Sequence, residues 1–267
     1  MNRGLVVMIQ TLRDHAAFVL VLIVLFVGIA GVVLTAYPTF FPVENTAFFL
    51  EDEQYFETFD QNPTLNRSFL RFSSLFFYQW FLMLIGGCII GYAASLLLSQ
   101  EFQKNTLDVL LATPLSRKEF AVGKFLGFCS ALFIINIVLI VSVIVIIRSL
   151  GEIVDISRLM VMHGVLLLYF FAAASLGFLI ALFADTAQKS GMITVGILSG
   201  MFCCELLSRS FSDVSWLGYL SLHHYCNPDL LLLDTHLDLI SLIVLLVFTA
   251  ECILLSLVVF MKKDIWH

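Results

Sequence analysis

The sequence predicts an all-α polytopic membrane protein with six transmembrane helices, an N-terminal interfacial helix and a cytoplasmic helical region between the second and third spans. Three observations lead there. Of the 267 residues, 60% are hydrophobic and 13% charged, far more apolar than the roughly half apolar, quarter charged mixture of a soluble domain. The apolar residues gather in runs near the roughly 20 helical residues that a bilayer requires. The 14 lysines and arginines fall between those runs, mostly on one side.

In chain order, Arg3 and Arg13 flank Leu5, Val6, Met8, Ile9 and Leu12, an amphipathic run that suits a helix lying in the interface over residues 1–15. Residues 16–36 form the first span. A secretory leader would have an apolar core of about 7–15 residues and a small-x-small cleavage site, whereas this run is longer and ends at Tyr37-Pro38. Residues 37–73 make an acidic loop, with Glu44, Glu51, Asp52, Glu53, Glu57 and Asp60 against Arg67 and Arg71. Further spans are expected at 74–98, 125–147, 160–183, 191–207 and 239–260, with a second polar loop at 208–238. The fifth is the shortest and has Glu205 near one end. Without internal repeats or low-complexity linkers, the chain is one transmembrane domain.

The distribution of Lys and Arg near span ends sets orientation. With both termini cytoplasmic, Arg3, Arg13, Lys104, Arg117, Lys118, Lys124, Lys189, Lys262 and Lys263 lie inside, and Arg67, Arg71, Arg148, Arg158 and Arg209 outside. That asymmetry places residues 101–124 in the cytoplasm and residues 37–73 outside a cell membrane.

Residues 101–124, EFQKNTLDVLLATPLSRKEFAVGK, are the most patterned polar stretch. Leu107, Leu110 and Leu111 share one face of a helix over residues 103–112. Pro114 ends it, lacking an N–H and disfavouring helical angles at Thr113. Ser116 and Glu119 have the S-x-x-E spacing of a capping box, so a second helix starts at once. The leucines either rest on the membrane surface or dock another protein.

Glu101, Asn105-Thr106-Leu107, Leu110-Leu111, Thr113-Pro114, Ser116-Arg117, Glu119 and Gly123-Lys124 resemble the E-x-x-x-G-T-L-x-x-L-L-x-x-P-x-S-R-x-E-x-x-x-G-K signature of ABC-2 type transporter permeases. Asn105 stands where that family usually has Gly. The ending Phe260-Met261-Lys262-Lys263-Asp264-Ile265 also looks like the aromatic-x-basic-basic-Asp close of many members, although a basic anchor at the last membrane exit accounts for the lysines equally well. The resemblance implies an ABC-2, or type V exporter-like, fold. It implies a permease subunit that pairs with a second permease, identical or related, and with two ATP-binding subunits, ATP and Mg being bound on those partners. Residues 103–112 would be the coupling helix, with Glu101, Lys104, Thr106, Leu107, Leu110, Leu111, Pro114, Ser116, Arg117, Glu119 and Lys124 at the ATPase docking site. Export is the direction most members share.

Other chemistries are poorly supported. No phosphate loop is present, because Gly123-Lys124 is followed by Phe125 and position 118 is Lys, so the chain is not expected to hydrolyse ATP. Gly196-Ile197-Leu198-Ser199-Gly200 misses the G-x-S-x-G elbow by one residue. Ser199 instead suits a small-residue packing face with Gly191, Gly196 and Gly200. No basic stripe suggests nucleic acid. The cysteines lie mainly in apolar runs and suit small buried side chains. Within spans, Glu251 is the leading candidate for a role in the pathway or in a hydrogen bond to a neighbouring helix. Glu205, Asn136 and His163 are expected to be satisfied structurally. His223, His224, Cys226, Asp229, Asp234 and His236 are metal-ligating types, but their spacing matches no closed motif, and no metal site is assigned. Two other functions remain: a non-transporting subunit that uses the same ATPase to assemble or extract a protein, and an ATPase-independent channel or secondary transporter.

Overall fold

The computed structural model describes residues 3–40, 65–103, 116–152, 154–233 and 238–262. Most of the acidic loop, residues 104–115 with Lys104, Thr106, Leu107, Leu110, Leu111 and Pro114, and Asp234, His236, Lys263, Asp264 and Ile265 lie outside them. Helices α1 (Arg3–Asp14), α2 (Ala16–Thr35) and α3 (Tyr37–Phe40) open the chain. Helix α4 (Leu65–Phe72) continues into a wider π-helical stretch, Ser73–Gly86, and then into α5 (Gly87–Gln103). Next come α6 (Arg117–Ser149), α7 (Ile156–Ile180) and α8 (Ala187–Ser210). A 3-10 segment, Ser212–Leu220, and α9 (Pro228–Leu232) precede α10 (Leu239–Lys262).

Six of these helical stretches are long and apolar enough to cross a membrane: Ala16–Thr39, Phe69–Glu101, Arg117–Ser149, Ile156–Ile180, Ala187–Ser210 and Leu239–Lys262. The fifth runs beyond residues 191–207 at both ends. Thr186 caps its start, its side chain accepting from the Lys189 N–H at 3.3 Å. Near its other end Glu205 is paired instead of meeting solvent.

The second and fourth spans form the centre, with 61% and 67% of their most apolar windows buried, against 17% for the last span. Lipid supplies no hydrophobic force between helices, so close approach depends on small residues. Here Gly91 and Gly177 meet backbone to backbone, Gly87 lies against the Tyr169 ring, and Ala94, Ala173 and Ala174 are fully buried around them. Of the expected packing face, Gly191 packs on Tyr92 and Ser199 Oγ lies 3.5 Å from Cys88 Sγ, whereas a Cβ at Gly196 or Gly200 would have no described residue within 4 Å.

Candidate functional site

The candidate site is the end of the bundle where residues 101 and 116 bring the signature stretch into and out of the membrane helices. Ser116 caps α6 as its spacing predicts. Its hydroxyl accepts from the Glu119 N–H at 3.2 Å, and the Ser116 N–H donates to Glu119 Oε2 at 3.0 Å. Two free backbone donors are thereby satisfied by one another's side chains. One turn further on, Lys124 Nζ reaches Glu101 Oε1 at 2.5 Å and the Leu97 carbonyl at 3.1 Å, and lies 5.2 Å from the Phe120 ring centre. The first and last residues of the signature thus clasp each other. With side chains only 13% and 22% exposed, this pair is partly shielded from solvent and links the end of α5 to the start of α6.

Two neighbours brace the clasp. At the end of α5 the Gln103 side-chain oxygen accepts from the Ala187 N–H at 3.3 Å, satisfying a free donor in the first turn of α8. On the other side α1 lies against the start of α6. A Cβ at Gly123 would sit 2.8 Å from the Gly4 carbonyl oxygen and from Val7 Cβ, and one at Gly127 would sit 2.7 Å from the Met8 carbonyl oxygen. Both glycines therefore permit backbone contact that any side chain would block. The opposite side of α1 exposes Leu5, Val6 and Ile9, the apolar face of an interfacial helix. Gln103, Gly127 and α1 were not among the expected site residues. The one available signal was the pair Gly123 and Gly127, four apart and so on one helix face.

The polar residues inside the bundle make two separate groups. Near its middle, Asn136 Nδ2 donates to the His163 carbonyl at 3.1 Å, Asn136 Oδ1 lies 3.0 Å from His163 Nδ1, and Tyr78 Oη lies 3.2 Å from His163 Nε2. A neutral imidazole protonated on Nδ1 satisfies every one of these groups. At the end opposite the clasp, Glu205 is 1% exposed. It accepts from Arg209 Nε at 2.7 Å and from His224 Nδ1 at 3.1 Å. Arg209 also lies 3.6 Å from Asp229, which in turn accepts from the Ser74 hydroxyl. Glu205 is thus a buried carboxylate with two partners. Gly218 closes the 3-10 segment over it, since a side chain there would meet Ser208 and His224 below 3 Å.

His223 turns inward, with Nε2 2.9 Å from the Tyr169 hydroxyl, which itself donates to the Met83 carbonyl at 2.8 Å. Burial pushes the His223 pKa down to about 3, while the buried Cys226 thiol is pushed up by the same desolvation. His223, His224, Cys226 and Asp229 therefore point to different partners, and no group of three metal-ligating side chains converges among the described residues. Glu251 differs from all of these: it is exposed on the outward side of α10, with no hydrogen-bond or ion-pair partner among the described residues.

What this arrangement can do is mechanical. The clasp ties the end of α5 to the start of the third span, with α1 and α8 packed beside them. No curated protein matched the chain. The profile of the family described as ABC-2 family transporter protein matches residues 8–265, nearly the whole length, and it spans all six membrane helices and the clasp. The chain belongs to that family and is a multi-pass ABC transporter permease.

Proposed function

We propose that this permease exports its substrate using ATP hydrolysed by a separate ATP-binding subunit that docks on residues 104–115. Two ATPase copies, each with ATP and Mg, and a second permease subunit complete the transporter. It sits in the cell membrane with both termini cytoplasmic. Leu107, Leu110 and Leu111 form the apolar face that seats in the ATPase. Nucleotide-driven movement of that subunit shifts the permease pair between two conformations, each favoured by a different nucleotide state. The Glu101–Lys124 clasp is the observation that supports this most strongly. A partly buried ion pair between Glu101 and Lys124 ties the end of α5 to the start of α6, so movement delivered to either helix reaches both.

The test is purification of the chain from its native membrane in mild detergent, followed by ATPase assay and identification of bound chains. A stoichiometric ATP-binding subunit is expected, and Leu107→Asp should remove it while leaving the chain inserted. Recovery of the permease alone, or undiminished ATPase activity with Leu107→Asp, would contradict the docking assignment. Uptake into inside-out vesicles on adding ATP establishes the direction; loss from preloaded vesicles would reverse it.

A further inference from the structure

The last span leaves one charge unexplained. In α10, Leu245, Cys252, Ser256 and Phe260 face the bundle, while Ile243, Leu246, Val247, Leu254, Leu255 and Val258 are 43–62% exposed. Glu251 and Ala250 lie at the centre of that outward stripe. Glu251 is twelve residues from Leu239 and eleven from Lys262, so roughly 16–18 Å of helix separates it from either end at 1.5 Å per residue. A Glu side chain is too short to span that distance. A charge held there in lipid is costly, and such groups almost always face a partner or a water-filled space.

The partner's chemistry follows from what this chain lacks. Each Lys and Arg of the described membrane helices lies within the first or last eight residues of its helix or span. A second copy of the chain therefore brings no cation to mid-bilayer depth, and packing α10 against itself would oppose two carboxyl groups. Ala250 beside the carboxyl leaves room for a long side chain to approach along the helix surface.

We propose that the outward face of α10, centred on Ala250 and Glu251, docks a transmembrane helix of a different protein chain that presents a basic side chain near mid-bilayer. The contact is a charge-assisted hydrogen bond to Glu251, surrounded by apolar packing from Val247, Leu254 and Leu255. This partner is additional to the ATPase, and its binding is independent of residues 104–115.

The test places a photo-crosslinking amino acid at Leu254 in the full chain, in its native membrane. The expected product is an adduct with another membrane protein whose crosslinked segment has Lys or Arg in its middle third. Yield should fall at least tenfold with Glu251→Leu, fall less with Glu251→Gln, and fall equally when the partner's basic residue is changed to Leu. Glu251→Leu puts an aliphatic side chain on an outward-facing surface, so insertion should be preserved, and an unchanged amount of the chain in the membrane fraction checks it. Adducts only between two copies, adducts only with lipid, or a yield indifferent to Glu251→Leu would each overturn the proposal. Assaying the same samples for the ATP-binding subunit separates the two readings, since its recovery should not change with any Glu251 variant.

Discussion

At the scale of single residues, the side chains that matter are those whose neighbours lie far away in the sequence. Glu101 and Lys124 are 23 positions apart and meet at 2.5 Å. Removing one partner leaves the other's charge partly buried, and hydrogen bonds to charged groups typically contribute about 1.5–3 kcal/mol. Lys124→Met should therefore lower the unfolding midpoint in detergent and weaken ATPase coupling together, and Glu101→Gln should do so less. A variant with full coupling and an unchanged midpoint would remove the clasp from the mechanism. His223 supports a pH prediction. Its pKa is depressed by burial to about 3, whereas opening of residues 221–226 to solvent would restore a value near 6.5. Below about pH 6.5 the open form binds a proton that the closed form does not, so closure weakens as pH falls and is unaffected above that range. Opening should rise by roughly tenfold per pH unit in this window. Hydrogen exchange at residues 221–226, corrected for intrinsic rates, should show it, and His223→Phe should flatten the response. An equal slope in both proteins would assign the effect elsewhere.

Helices show what the sequence makes legible and what it hides. The start of α6 was readable because Ser116 and Glu119 solve a local problem, free N–H groups at a helix end, within four residues. Glycines gave no such local signal. Gly196 and Gly200 have the spacing of a packing face and meet no other described residue, whereas Gly123 and Gly127 seat α1, and Gly91 meets Gly177. Whether a small residue is used depends on what lies across from it, and in a chain with apolar residues on every helix face, periodicity does not distinguish the sides. Gly127→Val should push α1 off α6, because its Cβ alone would sit 2.7 Å from the Met8 carbonyl oxygen. The strain expected of overpacking is about 1–3 kcal/mol. A crosslink between cysteines placed at Val7 and Val122 should form in the parent protein and fade in this variant. Persistence of the crosslink would mean that the helices adjust without separating.

For the whole molecule, six spans were legible from run length and composition because a bilayer of fixed thickness demands them. The folding of residues 212–232 against the fourth span was not, since His223 finds Tyr169 across 54 positions and Arg158 finds the Leu232 carbonyl across 74. Those contacts convert a loop with apparent metal ligands into a closure over the buried Glu205. At the other end the clasp, α1 and α8 come together where α5 ends and α6 begins. The most direct measurement is a photo-crosslink from Leu111 in the intact native complex, analysed for the chain it captures. The account predicts an ATP-binding subunit, in a yield that changes when ATP is added and falls with Leu107→Asp. Capture of lipid alone, with no nucleotide-hydrolysing chain in the adduct, would place these leucines on the membrane surface and contradict the docking assignment.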